Sequence, residues 1–207
     1  GCWNVPGVSI HLEGDANDYV GKGMSGGRIV LTTAEVDRER ARRNVICGNA
    51  CLYGATGGEL YVNGQAGERF AVRNSGAQAV IEGAGHHACE YMTGGIVVIM
   101  GPVGPNLAAG MTGGELFLLD PNNEVGRYLN PEFVEASRLE DQRFDAPSRR
   151  LKQLVTAHVS LTGSDWGRKV LDSWEMMLPH WVYVVPKNLS ASNAISQQDV
   201  PLRLVKA

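Results

Sequence analysis

His86, His87, Cys89 and Glu90 stand close together in this chain and bring imidazole, thiolate and carboxylate groups, the donor set of a zinc or other transition-metal centre. Cys47 and Cys51, with three residues between them, and Cys2 near the start add three more thiols that could serve as nucleophiles or ligands. Ala79-Val80-Ile81-Glu82-Gly83-Ala84-Gly85-His86-His87-Ala88 fits a strand followed by G-x-G-x-x-A, the fingerprint that cradles a dinucleotide pyrophosphate. Gly21-Lys22-Gly23 resembles part of a phosphate loop. Each reading makes a demand on the surrounding elements.

Those demands are not met. A dinucleotide site needs a crossover helix of about a dozen residues after the glycines, but Thr93-Gly94-Gly95 and a strand-forming run arrive first. The lysine motif has Ala16 where the first glycine belongs and Gly23 in place of Ser or Thr. The histidine cluster lacks a second ligand group at metal spacing, and alternate residues of a strand face opposite ways. Cys47 and Cys51 sit among Val45-Ile46 and Leu52-Tyr53 and read as small core residues; Cys2 falls beside a repeat unit and reads as structural too.

The repeat is the stronger signal. Met24-Ser25-Gly26-Gly27, Met92-Thr93-Gly94-Gly95 and Met111-Thr112-Gly113-Gly114, with the variant Ala55-Thr56-Gly57-Gly58, each run straight into a short apolar stretch. Those stretches are too short for helices and read as strands entered through a glycine corner. Asn4 to Gly27 parallels Asn74 to Gly95, and Gly48 to Leu60 parallels Gly104 to Leu116. Successive strands without intervening helices can bury their faces by stacking coil on coil, and 19 residues from Gly95 to Gly114 suit one solenoid coil. The expected fold is therefore mainly β: a right-handed parallel β-helix over residues 1–130, with the 26 glycines largely structural.

Matching positions in the repeats suggest roles. Glu13 and Glu82 precede equivalent glycines, where a carboxylate can accept backbone N–H groups at a corner. Asn4 and Asn74 also match and suggest a stacked amide ladder. Arg69 and Arg73 lie beside these positions without a recognisable nucleophile and base.

After the turn cluster Asp120-Pro121-Asn122-Asn123 the composition becomes more charged, marking a short α-helical C-terminal segment over residues 131–186. Asn130-Pro131 is expected to cap a short helix through Leu139. Ser148 is expected to cap a helix that carries Leu151, Leu154, Val155, His158 and Val159 on one face and stops near Gly163. Ser164 opens another with Val170, Leu171, Trp174, Met177 and Leu178, ended by Pro179; His180 to Pro186 reads as a strand, and 187–207 as a weakly ordered tail.

With 43% hydrophobic residues and a net charge of −3, the chain has neither a run of roughly 18 apolar residues for a membrane span nor an electrostatic reason to bind nucleic acid. Four irregularly spaced cysteines suit a reducing compartment. From its residues alone, the chain reads as a rigid scaffold with no catalytic, cofactor-binding or metal-binding residue of its own.

Leu12 to Met24, Gly48 to Gly58, Ala66 to Ala77 and Cys89 to Gly95 resemble the GXGXG domain at the C-terminus of the large subunit of glutamate synthase. The resemblance continues through His158 to Gly163, Trp166-Gly167, Leu178-Pro179 and Pro186-Lys187. It implies an oxidoreductase, cytoplasmic or plastid, in which an amidotransferase domain releases ammonia from glutamine. The ammonia then passes through a tunnel to an FMN domain that forms glutamate from 2-oxoglutarate. FMN and an iron–sulfur cluster are implied for the full enzyme, with their ligands upstream. The implied partners are the amidotransferase and FMN domains of the same enzyme and a small reductase subunit. The resemblance also implies a domain starting before Gly1, so that the first coil presents an open edge prone to association. A β-helix scaffold subunit of another redox complex, such as formylmethanofuran dehydrogenase, is the alternative, and the segment from His158 to Lys187 argues against it.

Overall fold

The computed structural model describes residues 1–34, 40–140 and 142–190. It is a β-solenoid of about six turns, mainly β, with a few short helices. Strands β1 (Ser9–Glu13), β2 (Ser25–Thr32), β4 (Gly57–Val62), β6 (Ser75–Ile81), β7 (Thr93–Ile99) and β8 (Gly113–Leu119) form one parallel ladder. Two short strands, β3 (Val45–Cys47) and β5 (Gln65–Ala66), pair on a second face. The register from Val97 to Leu116 steps by 19 residues, as does that from Leu60 to Ala79. The step from Ile29 to Leu60 is longer, at 31 residues (60 − 29).

Strands β4, β6, β7 and β8 are apolar on both faces toward their C-terminal ends, as expected for a parallel sheet covered on both sides. Leu60, Val62, Val97, Ile99, Leu116 and Leu118 point into the solenoid and meet Met24, Met92 and Phe70. Their neighbours Tyr61, Val98 and Phe117 point outward and are equally buried, under the C-terminal helices. The glycine pairs make this stacking close. A Cβ on Gly57 would come within 2.7 Å of the Ser25 carbonyl oxygen in the coil before it, and Gly76, Gly94 and Gly113 sit equally tightly on their own predecessors.

The C-terminal segment closes the sheet and covers it. After the single turn α1 (Val125–Tyr128), strand β9 (Val134–Arg138) pairs with β10 (Trp181–Pro186), which itself lies antiparallel to β8. This corrects the expected helix from Asn130 to Leu139. The Asn130 side chain accepts the Glu132 N–H in a local turn, and β9 satisfies the outer edge of β10, so tertiary pairing overrides the local cap signal. Between these strands run α2 (Asp145–Thr162), α3 (Asp165–Asp172) and α4 (Trp174–Met177). Helix α2 starts at Asp145, ahead of the expected Ser148, with Pro147 in its first turn, where a missing N–H is harmless. It ends at Gly163 with φ 69°, whose N–H donates to the Val159 carbonyl at 2.9 Å. Ser164 caps α3 as expected, accepting the Gly167 N–H at 2.9 Å, but the expected single helix through Leu178 is broken at Ser173 into α3 and α4. Lys187–Ser190 forms one further helical turn, α5; the remainder of the expected tail, 191–207, lies outside the described residues.

Burial of Leu151, Leu154, Val155, Val170 and Trp174 against the outward face of the ladder holds the helices in place, each such side chain contributing roughly 1.5–3 kcal/mol. Arg150 adds a forked ion pair to Glu115, with Nη2 2.8 Å from Oε1 and Nε 3.1 Å from Oε2. No helix among the described residues is long and apolar enough to cross a membrane.

Candidate functional site

The chain's most enzyme-like constellation is buried. Glu82, at the end of β6, accepts hydrogen bonds from the Ser164 hydroxyl at 2.5 Å and from His158 Nε2 at 3.1 Å, both to the same oxygen, Oε1. The three residues are 1%, 0% and 0% exposed. Serine, histidine and glutamate are the residue types of a hydrolytic triad, but the order is wrong. The imidazole and the hydroxyl both bind the carboxylate, so the histidine does not take the serine proton, and no substrate reaches a sealed site. The group acts as a clamp. It fastens the end of α2 and the start of α3 to the solenoid, helped by Asn63 Nδ2 donating to the Thr162 carbonyl at 3.4 Å and by the Thr162 hydroxyl donating to the His158 carbonyl at 2.7 Å. His158 Nδ1 and Asn63 Oδ1 remain without a partner.

Glu82 therefore does not bind corner amides as its repeat position suggested. Glu13, its counterpart, is exposed on β1, the end strand of the ladder. The asparagines likewise act singly rather than as a ladder. Asn74 is fully buried, its Oδ1 accepting from Ala77 N–H at 2.9 Å and its Nδ2 donating to the Ala77 carbonyl at 2.9 Å. Asn4 Nδ2 donates to the Val8 carbonyl at 3.4 Å. A Cβ on Gly95 or Gly27 would strike the respective amide nitrogen, which is why glycine pairs with asparagine in both repeats.

The histidine cluster lies at a solenoid corner and is not focused on one point. His87 Nδ1 is 2.7 Å from Glu90 Oε1, whereas His86 Nδ1 is 3.9 Å from Glu68 Oε1. Cys89 points into the core, where burial pushes its thiol up to about 12. Cys47 and Cys51 are also buried; a hydrogen bond between the two thiols raises Cys47 and lowers Cys51, and burial pushes both upward. Cys2 is exposed and donates to the Tyr19 carbonyl at 3.1 Å. Among the described residues no group of three or more His, Cys, Asp or Glu is placed to hold a metal ion. The Gly83 to Ala88 fingerprint turns a coil corner, and the chain proceeds to β7 without a crossover helix. A groove of about 290 Å³ lies beside Trp166, whose ring carries the Arg42 guanidinium at 3.8 Å. Asp120 on its wall is already committed to the Glu124 and Val125 N–H groups and to Arg138.

The feature that the motif search overlooked is the corner itself. In five successive coils three residues at i, i+2 and i+4 have left-handed backbone: Tyr19, Gly21 and Gly23; Ala50, Leu52 and Gly54; Arg69, Ala71 and Arg73; His87, Cys89 and Tyr91; Asn106, Ala108 and Gly110. In the first four sets the outer two donate their N–H groups forward: Tyr19 to Asn49 O, Ala50 to Glu68 O, Arg69 to His86 O, and, in the other column, Gly54 to Val72 O and Arg73 to Glu90 O. The middle one donates backward, as Leu52 does to Val20 O and Ala71 to Cys51 O. Gly21-Lys22-Gly23, tested above as a phosphate loop, is the coil in which this pattern shows as glycine. At the positions other than Gly21, Gly23, Gly54 and Gly110 a side chain occupies the strained conformation at about 1–2 kcal/mol each, offset by the interlocked hydrogen bonds and, for the middle column, by burial.

The fold is thus a parallel solenoid whose coils turn through alternating left-handed corners, with a helical cover clamped to one face. The chain matches the GXGXG motif family over residues 1–187 and belongs to it. It is 51% identical over 186 residues to ferredoxin-dependent glutamate synthase 2 of Synechocystis, covering 90% of this chain and 12% of that protein. It is 49% identical over 203 residues to the chloroplastic/mitochondrial ferredoxin-dependent glutamate synthase 1 of Arabidopsis thaliana, covering 97% and 12%. With the NADPH glutamate synthase large chain of Bacillus subtilis it shares 46% over 189 residues, 91% and 12%. The chain thus spans about 12% of the length of the curated relatives it matches.

Proposed function

We propose that this segment is the solenoid domain of a glutamate synthase large chain and takes no chemical part in the reaction. On this reading it holds the glutamine amidotransferase and FMN synthase domains in register around an ammonia path, with FMN and the iron–sulfur cluster bound by residues outside it. The carrying observation is the identity of about half across at least 90% of the chain to glutamate synthases of both ferredoxin and NADPH types. The sealing of the Glu82, His158 and Ser164 cluster supports the non-catalytic role, because a reacting group must meet its substrate. A stiff coil stack with a clamped cover suits positioning, where small displacements between sites cost rate. The soluble compartment follows that of the parent enzyme, cytoplasm or plastid. The test is oxidation of reductant dependent on glutamine and 2-oxoglutarate, measured with the segment alone and after co-expression with the upstream regions. Turnover in the combined sample only is the expected result; turnover by the segment alone would overturn the proposal.

A further inference from the structure

We draw no further inference here: the strongest candidate, the groove of about 290 Å³ lined by residues 100–103, α1 and Trp166, has its buried carboxylate at Asp120 committed to the Glu124 and Val125 N–H groups and to Arg138, and nothing in the structure shows what occupies it.

Discussion

Replacing Glu82 with alanine removes the carboxylate that Ser164 and His158 share. All three side chains are at most 1% exposed, so water cannot substitute for the lost acceptor. Each orphaned donor costs about 1–3 kcal/mol, and the small cavity adds to that, giving a loss of roughly 3–5 kcal/mol. For a protein of this length that corresponds to a fall of roughly 6–20 °C in melting temperature. Thermal unfolding followed by circular dichroism reads the whole effect. Glu82→Gln, which keeps an acceptor oxygen, should lose no more than about half as much. Because the clamp joins α2 and α3 to β6, hydrogen exchange in Glu82→Ala should rise first in residues 158–170 and only later in β7 and β8. A loss below about 1 kcal/mol, or uniform exchange across the solenoid, would refute the clamp.

Gly94→Ala and Gly113→Ala each press a methyl group onto the carbonyl of the preceding coil, and a loss of about 1–3 kcal/mol or insoluble expression should follow; a wild-type melt would count against the stacking account. Tyr91→Gly relieves a left-handed residue at φ 53°, so the isolated fold should be unchanged or stabilised by up to about 1 kcal/mol in urea titration. Thiol labelling of native protein should mark Cys2 rapidly and leave Cys47, Cys51 and Cys89 unmodified until denaturant is added. Burial holds the Cys89 thiol at about 12 and raises Tyr61 and Tyr183 above their ordinary range. The unfolded chain releases these protons at lower pH, so stability should fall as pH rises above about 9, by up to roughly 1.4 kcal/mol per pH unit and per group.

The coil architecture was legible because its signal is redundant: the same glycine pair, the same apolar run and the same spacing recur from Met24 to Leu119. Helices α2 and α3 were legible through a 3.6-residue apolar face and two clear boundary residues, Gly163 and Ser164. Strand β9 was not, since Val134, Glu135, Ala136, Ser137 and Arg138 become a strand through the edge of β10, which arrives over 40 residues later. Glu82 looked like its repeat mate Glu13, but only Glu82 meets a covering helix, and a local repeat carries no information about what packs on it. The left-handed corner escaped notice because most of its positions are not glycine; the lone Gly21-Lys22-Gly23 showed the i, i+2 spacing without the column that explains it.

The account stands or falls on the claim that this domain contributes position and no chemistry. Cys2, His86 and His87 are the nucleophile and ligand candidates that the motif reading raised and that reach the surface, so the full-length protein carrying Cys2→Ala, His86→Ala and His87→Ala should be assayed for reductant oxidation dependent on glutamine and 2-oxoglutarate. The prediction is a kcat within about twofold of the unsubstituted protein; a fall of about a hundredfold or more in a variant that melts normally would place a catalytic group here and contradict the account.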